Sequence, residues 1–350
     1  MKIYFALDED KCFNPYVSIL IKRLKEIDSS LEIQSGISVF WDDEIFTYNI
    51  IHIHWPDLLL KNTGKTVDDL QERIDKIKRQ GVKIVTTCHN IEPHFAKFEW
   101  QTQAYSIVYD SSDLTLHMGN YSFDIFKKKY PNSKQAILLH HIYDDRYKDI
   151  PSKAEAAKKL GLKSNATYIL CLGAFRNQQE RDLLLGLSSF LKKNSIMILA
   201  PSFFIVKKPT GIRSMLRYIK AKLKCVILDI RNNIKTCAQI IPEDDIPLYG
   251  AVADIMLLQR TAILNSGNIP MAFYLEKVMV GPDTGNVGEL LKKTGNPTFD
   301  IDNLSTLESS IQQALRLAKD EYGKKNKEYA LQFLSSQKIA QQLLDYYKQI

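Results

Sequence analysis

The feature that most constrains this chain is an alternation that runs along it twice. Short, nearly continuous apolar segments are separated by longer stretches of helical period, and the series is interrupted once. In the first half the apolar segments are Ile3–Leu7, Ile37–Phe40, Ile50–Trp55, Val82–Thr86, Leu114–His117 and Ala136–Leu139, and the amphipathic stretches are 15–27, 66–80, 95–109 and 121–130. Strands that are apolar on both faces and separated by helices predict a parallel sheet covered on both sides. Asn14 and Pro15 form a good start for the first helix. Residues 142–153 carry no period and include Pro151, and the domain boundary is expected there. A second series follows, with strands at Tyr168–Leu172, Ile196–Leu199, Val226–Ile230, Gln239–Ile241, Ile255–Leu258 and Val278–Val280. Its helices are expected at 178–193, 210–223, 266–275, 286–294, 303–319 and 324–348. The expectation is an α/β protein of two Rossmann-like, doubly wound domains facing a cleft. They span 1–150 and 151–323, and a helical segment over 324–350 packs back on the first. A length of 350 residues suits two domains.

Charge is distributed unevenly between these parts. Residues 1–150 carry 19 Lys and Arg against 22 Asp and Glu, a net of −3; residues 151–235 carry 17 against 4, a net of +13. The remaining 11 against 14 bring the total to +7. A concentrated basic block fits a phosphorylated small molecule or an anionic membrane surface. A nucleic-acid binder is a third reading, but no basic stripe interleaved with stacking aromatics is present. No apolar run reaches the length of a spanning helix. The five cysteines are scattered without a CxxC pair, and the first apolar stretch is too short for a signal peptide. A reducing cytoplasm is the expected compartment.

All seven histidines fall within the first 141 residues, and most stand at expected strand ends: His52 and His54 in HIHWP, His89 and His94 in TTCHNIEPH, and His140 and His141 in LHHIY. Ligands of open parallel sheets bind outside the carboxyl ends of the strands, so these residues are site candidates. A second reading makes each a hydrogen-bonded strand-end residue, and an HxH pair can also ligate zinc. The nearby carboxylates are few, with Asp57 the one close to HxH, and no metal is expected. In the second half, Gly173 permits a tight turn in LGAFRNQQER, and Arg176 or Arg181 can pair with a phosphate at the following helix start. No GxGxxG or GxxxxGK[ST] is present, which leaves a dinucleotide fingerprint and a P-loop unsupported. Ser266 and Gly267 precede an apolar helix, and a second small-residue turn, GPDTGNVGE, follows the next strand. The segment KKPTGIRSMLRYIKAKLK reads two ways. It can lie on an anionic membrane, or it can pack its Ile212, Leu216, Ile219 and Leu223 stripe on the sheet.

Taken in order, His52–Pro56, His89–His94, His140–Tyr143, Glu155–Leu162, Gly173–Arg176, Asp254–Leu258, Ser266–Ala272 and Gly281–Glu289 resemble the motifs of the GT-B glycosyltransferases. The resemblance is to glycosyltransferase family 4 (group 1), in a subgroup with SG in place of paired glutamates. It implies transfer of a sugar from a nucleotide-sugar donor, usually with retention and without a metal or other cofactor. The implied acceptor is a glycan or a lipid-linked acceptor of bacterial polysaccharide or capsule biosynthesis, with peripheral membrane contact and no nucleic acid. It places the donor at Gly173, Arg176, Arg181, Asn265, Ser266, Gly267 and Glu289. Arg176 and His89 would be catalytic, and His52, His54, Asn90 and His94 would line the acceptor side. The sequence departs from the pattern in three places. Gln179 stands near the usual lysine, Ile263 and Met271 stand at the usual glutamates, and Glu276 stands where a glycine is typical. A non-catalytic GT-B-like partner of another glycosyltransferase is the alternative reading.

Overall fold

Every strand lies parallel to its neighbours, in two sheets of six. The structure is a computed structural model. It describes residues 1–9, 14–93, 96–147, 149–207 and 209–350. Cys12 and His94 lie outside the described residues, as does the side chain of Ile212. The chain divides into two units. The first comprises Met1–His141 and Phe333–Ile350, and the second Ile142–Gln332.

The first unit begins with β1 (Lys2–Phe5), α1 (Tyr16–Ile27), β2 (Glu32–Ser35) and β3 (Ile50–Ile53). It continues with α2 (Val67–Arg79), β4 (Lys83–Cys88), α3 (Glu99–Ser111), β5 (Leu114–His117), α4 (Asn120–Lys129) and β6 (Lys134–Ile137). The sheet order is β2-β1-β3-β4-β5-β6. The chain therefore reverses direction across the sheet between β1 and β3, and this switch point opens a crevice at their carboxyl ends. The Asn14 side chain accepts the Tyr16 N–H at 3.0 Å and so starts α1. The strand expected at Ile37–Phe40 is instead β2, which ends just before Gly36. As an edge strand it reads polar and apolar in turn, Glu-Ile-Gln-Ser, which hides it from a search for apolar runs. Phe40 is buried from a short 3-10 turn instead.

The second unit contains α5 (Lys153–Leu160), β7 (Thr167–Leu170), α6 (Gln178–Gly186), α7 (Ser188–Lys193), β8 (Ile196–Leu199), α8 (Ile212–Asn232) and β9 (Ile234–Lys235). Then come α9 (Ile246–Val252), β10 (Ile255–Leu257), α10 (Asn268–Tyr274), β11 (Val278–Pro282), α11 (Gly285–Lys293), β12 (Thr298–Phe299) and α12 (Ser305–Lys319). The order is β12-β11-β10-β7-β8-β9, so the switch point falls between β7 and β10. Two expected strands are absent. Val226–Ile230 forms the last turns of α8, because its apolar residues continue the helical period of the basic segment before it. Gln239–Ile241 is irregular, with Ile240 68% exposed. The Leu216, Ile219 and Leu223 stripe of α8 does not pack on the sheet, since all three side chains are exposed.

The expected final helix is two helices, α13 (Tyr322–Phe333) and α14 (Ser336–Tyr347), parted at Ser335, whose hydroxyl accepts the Lys338 N–H. In α14, Ile339, Ala340, Leu343, Leu344 and Tyr347 join the core built by β1, α1 and β5 of the first unit. Arg23 on α1 donates to the Ser336 hydroxyl at 2.8 Å. Glu276 has φ 57°, a left-handed value that explains why glycine suits that position.

Candidate functional site

The two switch points hold the two groups of site residues, and each group is described within its own unit.

In the first unit, β3 ends in His52-Ile53-His54, and period-two geometry puts both imidazoles on one face. Their rings stack at 4.3 Å between centroids. His52 Nε2 meets the Thr87 hydroxyl of β4 at 2.8 Å, and its Nδ1 meets the Tyr347 hydroxyl of α14 at 2.5 Å. Burial lowers the His52 pKa to about 3 and pushes that of His54 well below its ordinary value, so both are neutral. His54 Nδ1 lies 2.9 Å from Nε2 of His89, the residue after β4. His89 is half-buried, stacked on Trp55 at 4.5 Å and edge-on to Tyr16 at 5.3 Å. His140 and His141 also pack on Tyr16, although β6 lies three strands from β3. His141 Nε2 contacts the Tyr16 carbonyl at 3.0 Å, and burial lowers the His140 pKa to about 3. The histidine segments of β3, β4 and β6 thus form one nest. Within it His52 and His54 are buried supports, and the half-buried His89 ring rests on them. Asn90 is buried, and its carbonyl accepts the Tyr109 hydroxyl at 2.5 Å. His117 stands apart, held by Ser122 and Gln135.

In the second unit, Gly173 follows β7 with φ 93°, a conformation open to glycine. A Cβ there would lie 3.6 Å from Arg260 Nη2, so the Arg260 guanidinium lies close to the Gly173 backbone. Arg260 follows β10, across the switch point. It is 8% exposed and pairs at 2.7 Å with Glu180, which is 2% exposed. The same Glu180 oxygen accepts the Arg176 backbone N–H at 2.7 Å. Glu180 is set by its place in the first turn of α6, which Asn177 caps by accepting the Glu180 N–H at 2.9 Å. The Arg176 side chain reaches solvent. Packing around its guanidinium, and then the Arg260 charge, lower its pKa from the ordinary arginine value. It nevertheless stays protonated, as arginines in proteins do. Arg181 spends its guanidinium on the carbonyls of Phe203 (3.1 Å), Asn177 (2.7 Å) and Phe175 (3.2 Å), where it fixes the loop that carries Arg176.

Arg260 is the residue of this candidate site that sequence reasoning missed. Its partner to Arg176 is distant in sequence, and only the placement of β10 beside β7 joins them. Gln259 beside it is fully buried, and neither its amide oxygen nor its nitrogen has a partner among the described residues; the Thr261 hydroxyl is in the same state.

The two small-residue turns come together. Gly285 has φ 60°, and a Cβ on it would lie 2.7 Å from the Ile263 carbonyl. Asn286 donates to the Asn265 side chain at 2.7 Å, and the Val287 N–H donates to the Leu264 carbonyl at 3.2 Å. Gly267 has φ −64°, an ordinary helical value, and the Asn268 N–H is taken by the Ser266 hydroxyl at 3.3 Å. The Asn268 side chain donates to the Leu172 carbonyl at 3.0 Å, tying this turn to the end of β7. Glu289 is half-buried on α11. A hollow of about 730 Å³ in this unit is lined by Thr167, Asp254 and Lys277, at the amino ends of the strands and away from Arg176. Among the described residues no group of three or more His, Cys, Asp or Glu is placed to hold a metal ion.

No family model matches the chain, and no curated protein matches it by sequence. Solved structures match it over its full length. Sucrose-phosphate synthase from Thermosynechococcus elongatus has a TM-score of 0.74 at 11% identity, covering 99% of this chain and 98% of that one. HepE from Anabaena in complex with UDP has a TM-score of 0.72 at 14% identity, covering 100% of both chains. The trehalose-6-phosphate structure from E. coli, bound with UDP-2-fluoro glucose, has 0.65 at 11% identity, covering 100% of this chain and 99% of that one. The architecture is the GT-B fold, α/β with two parallel six-stranded Rossmann-like sheets.

Proposed function

We propose that this chain is a glycosyltransferase that moves a sugar, in the manner of a hexosyltransferase, from a nucleotide-sugar donor to a glycan or lipid-linked acceptor. The observation that carries the reading is the pair Arg176 and Arg260 at the switch point of the second unit, on a fold whose matched structures include complexes with UDP and a UDP-sugar. The leaving group of such a reaction is a nucleoside diphosphate, whose β-phosphate gains negative charge in the transition state. Arg176 would pair with that charge, and Arg260, its own charge shared with Glu180, would lie beside it at the turn. Arginine at this place would supply what a divalent metal otherwise supplies, in keeping with a metal-independent reaction. Gly173, Asn265, Ser266, Gly267 and Glu289 would surround the donor, and Arg181 would hold the Arg176 loop. In the first unit His89 would orient the sugar or the acceptor hydroxyl, resting on the buried His52 and His54, while Asn90 and His94 are assigned to the acceptor on the sequence resemblance alone. Retention of configuration and a role in bacterial polysaccharide or capsule biosynthesis, as a cytoplasmic enzyme, complete the proposal.

The experiment is a thermal-shift screen of UDP-, GDP- and ADP-sugars, followed by turnover of the donor that binds. Arg176→Ala should lose the shift and at least about a hundredfold in kcat/KM, the range for removing one charge-stabilising donor. His89→Ala should keep the shift and lose kcat. Activity equal to the unaltered protein in both variants would sink the assignment. Binding without transfer to any acceptor would favour the non-catalytic partner.

A further inference from the structure

Helix α8 has an apolar face that no described residue of its own unit covers. Its inward side is narrow: Ala221 and Leu228 are buried, and Asn232 ties the end of the helix to Ser188 of α7 at 2.7 Å. On the opposite side Leu216, Ile219, Leu223, Val226, Ile227 and Ile230 are exposed, from 47% for Ile219 to 70% for Ile230. At ~100° per residue these six fall within an arc of about 100° centred opposite the buried seam. They make a continuous stripe four turns long. Isolated exposed apolar residues need no explanation, but a contiguous stripe of this size marks a contact surface.

Charge identifies the occupant. The helix carries six basic residues, Arg213, Arg217, Lys220, Lys222, Lys224 and Arg231, against one acidic residue, Asp229. On the helical wheel Lys220, Arg213 and Arg231 border the stripe on one edge and Lys222 borders it on the other. Such a surface repels a second copy of itself. It matches a layer that offers apolar depth beneath a sheet of negative charge. Aliphatic side chains can enter the acyl boundary while the bordering lysines and arginines meet lipid phosphates. Among the described residues no helix is long and apolar enough to cross a membrane, and α8 with its six cations lies along the surface rather than across it.

We propose that α8 is a membrane-surface anchor that docks the second unit on an anionic lipid bilayer, with the stripe from Leu216 to Ile230 inserted at the headgroup boundary. This inference goes beyond the glycosyl-transfer reading and stands whether or not that reading holds.

The test is flotation of the full chain with vesicles of phosphatidylcholine alone and of phosphatidylcholine with about one-third phosphatidylglycerol. The chain should float with the anionic vesicles at least about tenfold more than with the neutral ones, and less at high salt. Leu223→Glu with Ile230→Glu should abolish flotation without changing the circular dichroism spectrum, because both side chains are solvent-exposed in the fold. The thermal shift by a bound nucleotide sugar should be unchanged in that variant, which separates failure of this proposal from failure of the catalytic one. Absence of flotation, equal flotation on neutral vesicles, or undiminished flotation of the variant would overturn it. Self-association of the chain that Leu223→Glu removes, seen without lipid, would assign the face to a second copy instead.

Discussion

Replacing Arg260 by Met tests the construction of the second unit's switch point. Arg260 and Glu180 are 8% and 2% exposed and meet at 2.7 Å, so solvent does little to screen either. Arg260→Met keeps the aliphatic volume and removes the charge, leaving Glu180 buried with the Arg176 N–H as its remaining acidic-oxygen partner across the loop. Breaking one side of a buried pair costs about 3–5 kcal/mol, mostly the penalty of the stranded ion. For a unit of this size that corresponds to a fall in melting temperature of about 10 °C. The double variant Arg260→Met with Glu180→Gln should recover most of the loss, since the glutamine oxygen still accepts the Arg176 N–H and no ion is stranded. The assay must report on the right unit. All three tryptophans, Trp41, Trp55 and Trp100, lie in the first unit, so tryptophan emission is blind to this change. Hydrogen exchange read on peptides of α6 and β10 follows the second unit directly. A single variant within about 1 kcal/mol of the unaltered protein, or a double variant no better than the single, would refute the reasoning, because a buried pair must show coupling in such a cycle.

Three further outcomes are expected. Gln259→Leu should raise the stability of the second unit by about 1–3 kcal/mol in urea unfolding, because it removes a buried amide with no partner. Gly323→Ala should destabilise by about 3 kcal/mol, the upper part of the overpacking range, since its Cβ would sit 1.9 Å from the Glu276 carbonyl oxygen, a backbone atom that cannot move aside cheaply. Acid should weaken the first unit through its buried histidines. Burial lowers His52 to about 3 and His117 to about 4 in the folded state, against ~6.5 unfolded, so the unfolded chain binds more protons between those limits. Stability is therefore full above pH ~6.5 and falls as the pH drops through that window, by about 2 kcal/mol per imidazole from pH 7 to 5. Tryptophan-monitored urea unfolding at the two pH values measures it, and His117→Gln should remove its share of the slope.

The sequence shows most of the fold and some of the clustering at the candidate site, and the division has a physical cause. Strands buried on both faces, such as Leu114–His117 and Ile196–Leu199, are legible because burial demands an unbroken apolar run. The edge strand at Glu32–Ser35 is not, because one of its faces meets water. Val226–Ile230 has the composition of a strand yet is helical, and its exposure shows that the apolar run answers to something other than the sheet core. The His52, His54 and His89 cluster is readable from strand-end positions, since parallel strands bring their carboxyl ends to one edge. Arg260 is not, because its nearness to Arg176 depends on strand order rather than on spacing. Arg181 has the right residue type in the right turn, but nothing in its neighbours announces the three carbonyls that occupy it.

The packing of α14 has a consequence for how this chain is made. The Tyr347 hydroxyl closes on His52, and Gln342 and Tyr346 bond the Ile137 carbonyl at the end of β6. The first unit thus lacks one of its helices until synthesis reaches residue 347, long after its sheet has left the ribosome. The second unit, an insertion in the linear order, has all its residues synthesised by 332, before α14 is complete. During that interval the faces of Leu20 and Leu24 that α14 later covers are bare. A chain cut after α13 should therefore keep that face of α1 open to solvent.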